Sequence, residues 1–165
     1  MTRRVAFRKA IVAGATGALA WDAAARLLLL LNVPVFDIVY FLGTMVVKDS
    51  PVLWPVGLLL HIGFGSIWAI FYAYFFWSEF AWHPAVQGFV FSIGVAVLAI
   101  LIALPQMMLM HPMMATYSLE SNLLWSPLKW SELNAVLLGH LIYGVTVGSI
   151  YTHPVGYPAG RRVAI

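Results

Sequence analysis

Long apolar runs separated by short polar breaks organise this chain. After Arg3, Arg4, Arg8 and Lys9, residues 10–31 are apolar except for Thr16, Asp22 and Arg26, and the run stops at Asn32-Val33-Pro34, where proline and the residue before it resist helix. A helix rises about 1.5 Å per residue and needs about 20 apolar residues to cross a bilayer core, so this run predicts a first span over 10–31. Residues 35–47 are apolar but too few to cross, and they close at Lys48-Asp49-Ser50-Pro51; they predict a short helix at the outer interface. Three further runs predict spans over 55–77, 85–110 and 133–152. Trp54, Trp77, Trp82, Trp125 and Trp130 lie at their borders, where an amphipathic indole prefers the bilayer interface. Pro84 suits the first turn of the third span and Pro105 predicts a kink near its end. The pattern is that of an all-α polytopic membrane protein. It is a single transmembrane domain, 1–165, with four transmembrane helices in an up-down-up-down bundle, a short interfacial helix after the first and a polar tail over 153–165.

Composition supports this class. Hydrophobic residues make up 62% of the chain, charged residues 9%, and mean hydropathy is +0.91, whereas a soluble domain is about a quarter charged. The net charge of +3 comes from the ends, in the four N-terminal cations and in Arg161 and Arg162. The outer segments set Lys48 and Lys129 against Asp37, Asp49, Glu120 and Glu132. By the positive-inside rule both termini are cytoplasmic, and the basic clusters report orientation; nucleic-acid binding is not implied. A cleaved signal peptide ending at Ala18-Leu19-Ala20 is the rival reading of the first run, but it leaves Leu27 to Leu31 without a role. The chain has no cysteine, which excludes disulfides, thiolate metal sites, iron–sulfur clusters and attached c-type haem.

The polar residues inside the spans carry the candidate chemistry. His61 with Gly65, and His140 with Gly144, repeat the pattern His-x-x-x-Gly, which in a helix places the glycine one turn on, on the same face. That leaves room for something bulky beside each imidazole. The second and fourth spans run parallel and stand diagonally in such a bundle, and the two histidines differ in depth by only roughly 5 Å. Asp22 and Arg26, at i and i+4, face each other and reach the same outer layer. Intramembrane ionisable groups are costly and mark functional sites by default. One chemistry is haem b with His61 and His140 as axial ligands, Gly65 and Gly144 as space for the ring, and Arg26 pairing a propionate, in a small redox subunit. A second is copper held by Met107, Met108, Met110 and His111, with Met113 and Met114 nearby, since thioether and imidazole favour Cu(I). A third is metal or proton movement through the Asp22–Arg26–His layer. Against these stand interhelical hydrogen bonds from the histidines, a sealing Asp22–Arg26 ion pair and flexible methionine packing. The chain is then an accessory subunit of a larger membrane complex, or a homo-oligomer, with no cofactor of its own. No Gly-rich phosphate loop, Gly-x-Ser-x-Gly or His-Glu-x-x-His occurs, so no catalytic activity of its own is expected.

The Gly/Ala-rich first span (Ala13-Gly14-Ala15-Thr16-Gly17), His61 opening the second, His111-Pro112 ending the third and Gly139-His140-Leu141-Ile142-Tyr143-Gly144 in the fourth resemble uncharacterised four-helix bacterial inner-membrane proteins of the YagU-like kind. The resemblance covers most of the chain. It implies a four-span fold in a bacterial cytoplasmic membrane and brings no settled activity.

Overall fold

A computed structural model describes residues 5–48, 50–77, 79–80, 82–111 and 130–151, and among them every regular element is helical. In chain order these are α1 (Phe7–Leu30), α2 (Ile38–Val46) and α3 (Leu53–Phe71), the last continued by a π-helical turn, Tyr72–Phe76. They are followed by α4 (Pro84–Leu98), which runs through a second π-helical turn, Ala99–Ala103, into α5 (Leu104–Met110), and by α6 (Trp130–Ile150). Four stretches are long and apolar enough to cross a membrane: Phe7–Leu30, Leu53–Phe76, Pro84–Met107 and Trp130–Ile150. By length and composition this is a membrane protein. Large apolar side chains such as Leu59, Ile67, Phe75, Leu101 and Leu109 are exposed on its outside, a surface suited to lipid and not to water.

The helix ends follow from local chemistry. Asn32, at φ 57°, takes the left-handed position that closes α1. Val33 N–H donates to Leu28 O at 2.9 Å and Asn32 N–H to Leu29 O at 3.0 Å, the paired bonds of a Schellman cap, for which asparagine substitutes for glycine. Asp37 caps α2, its carboxylate accepting from Tyr40 N–H at 2.9 Å, as N-cap residues do. Pro84 opens α4, and Gln87 folds back to donate to Phe80 O at 2.7 Å and Trp82 O at 2.9 Å. Helix α6 is already formed at Trp130, the first residue described after 111, ahead of the 133 that the apolar run predicted. The break expected at Pro105 takes the form of the π turn Ala99–Ala103 just before it. Proline has no N–H for the carbonyl one turn earlier, and a widened turn absorbs that missing bond.

Helix α1 is the centre of the assembly, packing on both α3 and α6, while α2 packs on α3 and α4 on α6. Its inward stripe is nearly all small: Ala10, Ala13, Gly14, Gly17 and Ala18 are buried. A methyl group at Gly14 would strike the Gly65–Ser66 backbone, and one at Gly144 would strike Gly88 and Ser92. The backbones therefore touch at these crossings, the way small residues bring membrane helices together. Partner positions run in opposite senses: Gly14 meets Ala69 and Ala18 meets Gly65; Gly17 meets Tyr143 and Gly139 meets Trp21; Gly148 meets Pro84 and Gly144 meets Ser92. Each packed pair is thus antiparallel.

Candidate functional site

Helices α3 and α4 each cross another helix tightly but make no such crossing with each other. They approach through an aromatic cluster at one end, where Phe91 meets Tyr72 at 5.2 Å, Phe76 at 5.5 Å and Trp68 at 6.4 Å between ring centroids. Beyond that cluster a cleft of about 280 Å³ opens between them. Phe64 and Trp68 form one wall, Val95, Ala99, Ala103, Leu104 and Met107 the other. Trp21, Val136 and Tyr143 lie at the base, and Phe36, Ile38 and Leu42 cover the top. The π turn of the third span contributes Ala99 and Ala103, so it widens the helix where the cleft needs width. Short π turns recur at functional sites for this reason.

His61 and His140 both line this cleft, and each is nearly buried, at 6% and 7% exposure. Between them stands Trp21. Its indole meets the His61 ring edge-on, at 5.1 Å and 85°, and the His140 ring at 4.5 Å and 54°. The sequence therefore paired the histidines but missed the residue that joins them. The bulky group beside the imidazoles is the chain's own tryptophan. Its room comes from Gly139, where any Cβ would overlap the indole. Gly65 lines the cleft with the two histidines and also seats a helix crossing, whereas Gly144 seats a crossing and does not line the cleft. Gly65 also accepts a hydrogen bond across the base of the cleft, from the Tyr143 hydroxyl to its carbonyl at 2.6 Å.

The two imidazoles differ in their bonding. His140 Nδ1 lies 2.8 Å from Val136 O. A carbonyl only accepts, so Nδ1 carries the proton and Nε2 keeps the lone pair. Among the described residues His61 Nδ1, which is buried, has no hydrogen-bond partner, so the ring meets the cleft through its other edge, and no charged side chain lines the cleft.

Asp22 and Arg26 belong to a separate cluster. Arg26 reaches Asp22 at 3.5 Å but bonds Asp37 more closely, at 3.0 and 3.1 Å to its two oxygens, and its guanidinium lies 3.9 Å from the centre of the Trp54 ring. This joins α1 to the cap of α2 and to the start of α3. Neither Asp22 nor Arg26 lines the cleft, so the single polar layer expected from depth divides in two. Asp37 was readable as a cap, three residues before Tyr40 at the start of an apolar run. Its ion pair was not, because that depends on the turn at Asn32.

The methionine–histidine set lies partly outside the described residues. Met107 lines the cleft, Met110 is 77% exposed, and the side chain of Met108, with Met113 and Met114, lies outside the described residues. His111 is buried against α2, its Nε2 2.9 Å from Thr44 Oγ1 and 3.3 Å from Phe41 O, with its ring stacked on Phe41 at 4.8 Å. Thr44 gives its one hydrogen to the carbonyls of Tyr40 or Phe41, so the contact uses a proton on His111 Nε2. In this arrangement that nitrogen is a donor. Among the described residues no group of three or more His, Cys, Asp or Glu is placed to hold a metal ion. His83 is exposed and far from these clusters in sequence, and His153 lies outside the described residues. Compared with protein-family models, curated proteins and solved structures, the chain matches none.

Proposed function

We propose that this chain is a small binding protein of a bacterial cytoplasmic membrane that takes a neutral, lipid-phase ligand into the cleft between α3 and α4. In this reading the four long helices cross the bilayer up, down, up and down, with both ends cytoplasmic and α2 lying at the outer interface as a cover. The cleft then sits in the outer half of the bundle and opens sideways to lipid. The observation that carries the reading is the unpartnered imidazole of His61 beside the half-bonded imidazole of His140, both on an apolar cleft with space in it. A polar nitrogen held in apolar surroundings without a partner is destabilising by about 1–3 kcal/mol, and native structures retain few of them. His61 Nδ1 turns away from the cleft, so a ligand there bonds the other nitrogen of each ring, which accounts for two imidazoles kept on an otherwise apolar wall. Pockets with apolar walls and a few convergent polar groups are the usual form of such sites.

The test is mass spectrometry of organic extracts from the protein purified in mild detergent. A neutral compound enriched over bulk lipid should leave with the wild-type chain and be depleted in Ala99→Phe, which fills the cleft. Equal content in both, or enrichment in neither, overturns the reading.

Haem b remains a second reading for one reason. The Val136 carbonyl fixes the His140 proton on Nδ1 and leaves Nε2 as a free lone pair, the way ligating histidines are commonly held. The space argues against it. Trp21 stands against both imidazoles, and 280 Å³ lies at or below the lower end for drug-sized ligands, about 300 Å³, while a tetrapyrrole is larger than most of those. An absorption spectrum, oxidised and reduced, separates the two readings. A Soret band abolished by His61→Ala and by His140→Ala establishes the haem, and a colourless protein removes it.

A further inference from the structure

We infer, building on the binding reading above, that the ligand is a lipid-soluble aromatic alcohol of the hydroquinone class, its hydroxyl held between His61 and His140 and its ring set among Trp21, Phe64 and Trp68. The argument starts from His140. With Nδ1–H bonded to Val136 O at 2.8 Å, Nε2 can only accept. Whatever fills the cleft must bring a proton donor to that point, which an ether, an ester or a quinone carbonyl does not have.

His61 supplies the complementary half. Its Nδ1 is buried without a partner, and in the neutral ring a proton on the cleft-facing nitrogen makes that edge a donor. A hydroxyl satisfies both at once, donating to His140 and accepting from His61. Both rings touch one indole and line one cleft, so a ligand that fills the cleft lies beside both. Apart from the Tyr143 hydroxyl, which is bonded to Gly65 O, the remaining lining among the described residues, including Val95, Leu104 and Met107, is apolar and carries no charge. Phosphate and ammonium headgroups have no counter-ion there and are excluded. Trp21, Phe64 and Trp68 offer flat faces, which favour a planar ring in offset or edge contact. A cleft of about 280 Å³ holds one such ring and the first part of a chain, and the gap between α3 and α4 lets the rest of that chain lie in the bilayer. Oxidation to the quinone removes the proton that His140 requires, so the site distinguishes the reduced from the oxidised form.

The experiment is thermal unfolding of the full chain in detergent against four probes: decylhydroquinone, its dimethyl ether, the corresponding quinone, and 1-dodecanol. The hydroquinone should stabilise at concentrations about tenfold below the ether and the quinone, the ratio expected of one hydrogen bond in a membrane interior. His140→Leu should erase that preference, and His140→Gln, whose side-chain carbonyl still accepts, should keep most of it. The wild-type comparison stands even where a variant fails to fold. Equal stabilisation by hydroquinone, ether and quinone overturns recognition of the hydroxyl while leaving an apolar binding cleft. Dodecanol matching the hydroquinone overturns the aromatic part. No stabilisation by any probe overturns the inference and the binding reading together.

Discussion

Trp21 is held by a coincidence of small and large side chains that tolerates little change. Gly139 lies where a single methyl group would enter the indole, so Gly139→Ala should displace Trp21 and destabilise the fold by about 1–3 kcal/mol, the range for overpacking a filled core. Unfolding in detergent measures it, and Trp21→Leu in the same chain should recover most of the loss, because residues in direct contact couple. Neither variant being destabilised would mean that the contact contributes nothing. His111 and Thr44 offer a parallel case at a third histidine. Thr44→Val keeps the shape but removes the shorter of the two contacts at His111 Nε2, leaving the one to Phe41 O at 3.3 Å. A loss of about 1–2 kcal/mol is expected, judged from hydrogen bonds between membrane helices. At this scale the sequence revealed the histidines, since a histidine in an apolar run stands out. It hid Trp21, since a tryptophan in an apolar run does not.

The short helix α2 shows how an element too small to cross the bilayer keeps its place. Besides its close packing on α3, three polar contacts hold it: the Asp37 cap, the bond from Arg26 to that same carboxylate, and the Thr44–His111 contact. Two substitutions separate the first two. Asparagine caps a helix as well as aspartate does, so Asp37→Asn removes only the ion pair, while Asp37→Ala removes the cap as well. Hydrogen exchange over Ile38–Val46 should rise modestly in the first and by a further factor of about five in the second, as the cap contributes about 1 kcal/mol. Because Arg26 and Asp37 are about one-third exposed, at 35% and 29%, the Asn effect should be small and should shrink in high salt. Equal exchange in both variants would show that the cap has no part in holding α2. The π turns at this scale were only half legible: Pro105 announces one, while nothing in Tyr72–Phe76 announces the other.

At the scale of the whole molecule, the long apolar runs made the four large helices legible, because bilayer thickness imposes a length that side-chain detail cannot disguise. The cleft was illegible, since it arises from what α3 and α4 fail to do. The orientation proposed above predicts that Ser50→Cys and Phe80→Cys lie on opposite faces of the membrane. A chain with no native cysteine gives a clean background for testing this with an impermeant maleimide. Labelling of Ser50→Cys but not Phe80→Cys in intact cells is expected, and the reverse pattern would invert the protein. The packing order also sets a sequence of events for biogenesis. Helix α4 takes its close glycine crossing from α6 alone, and α6 is made later. During synthesis α1, α2 and α3 can assemble as soon as they enter the bilayer, while α4 must wait among lipids without its principal partner. A ribosome stalled before Trp130 should therefore hold a nascent chain in which the α1–α3 hairpin resists protease and α4 still exchanges freely with the insertion machinery.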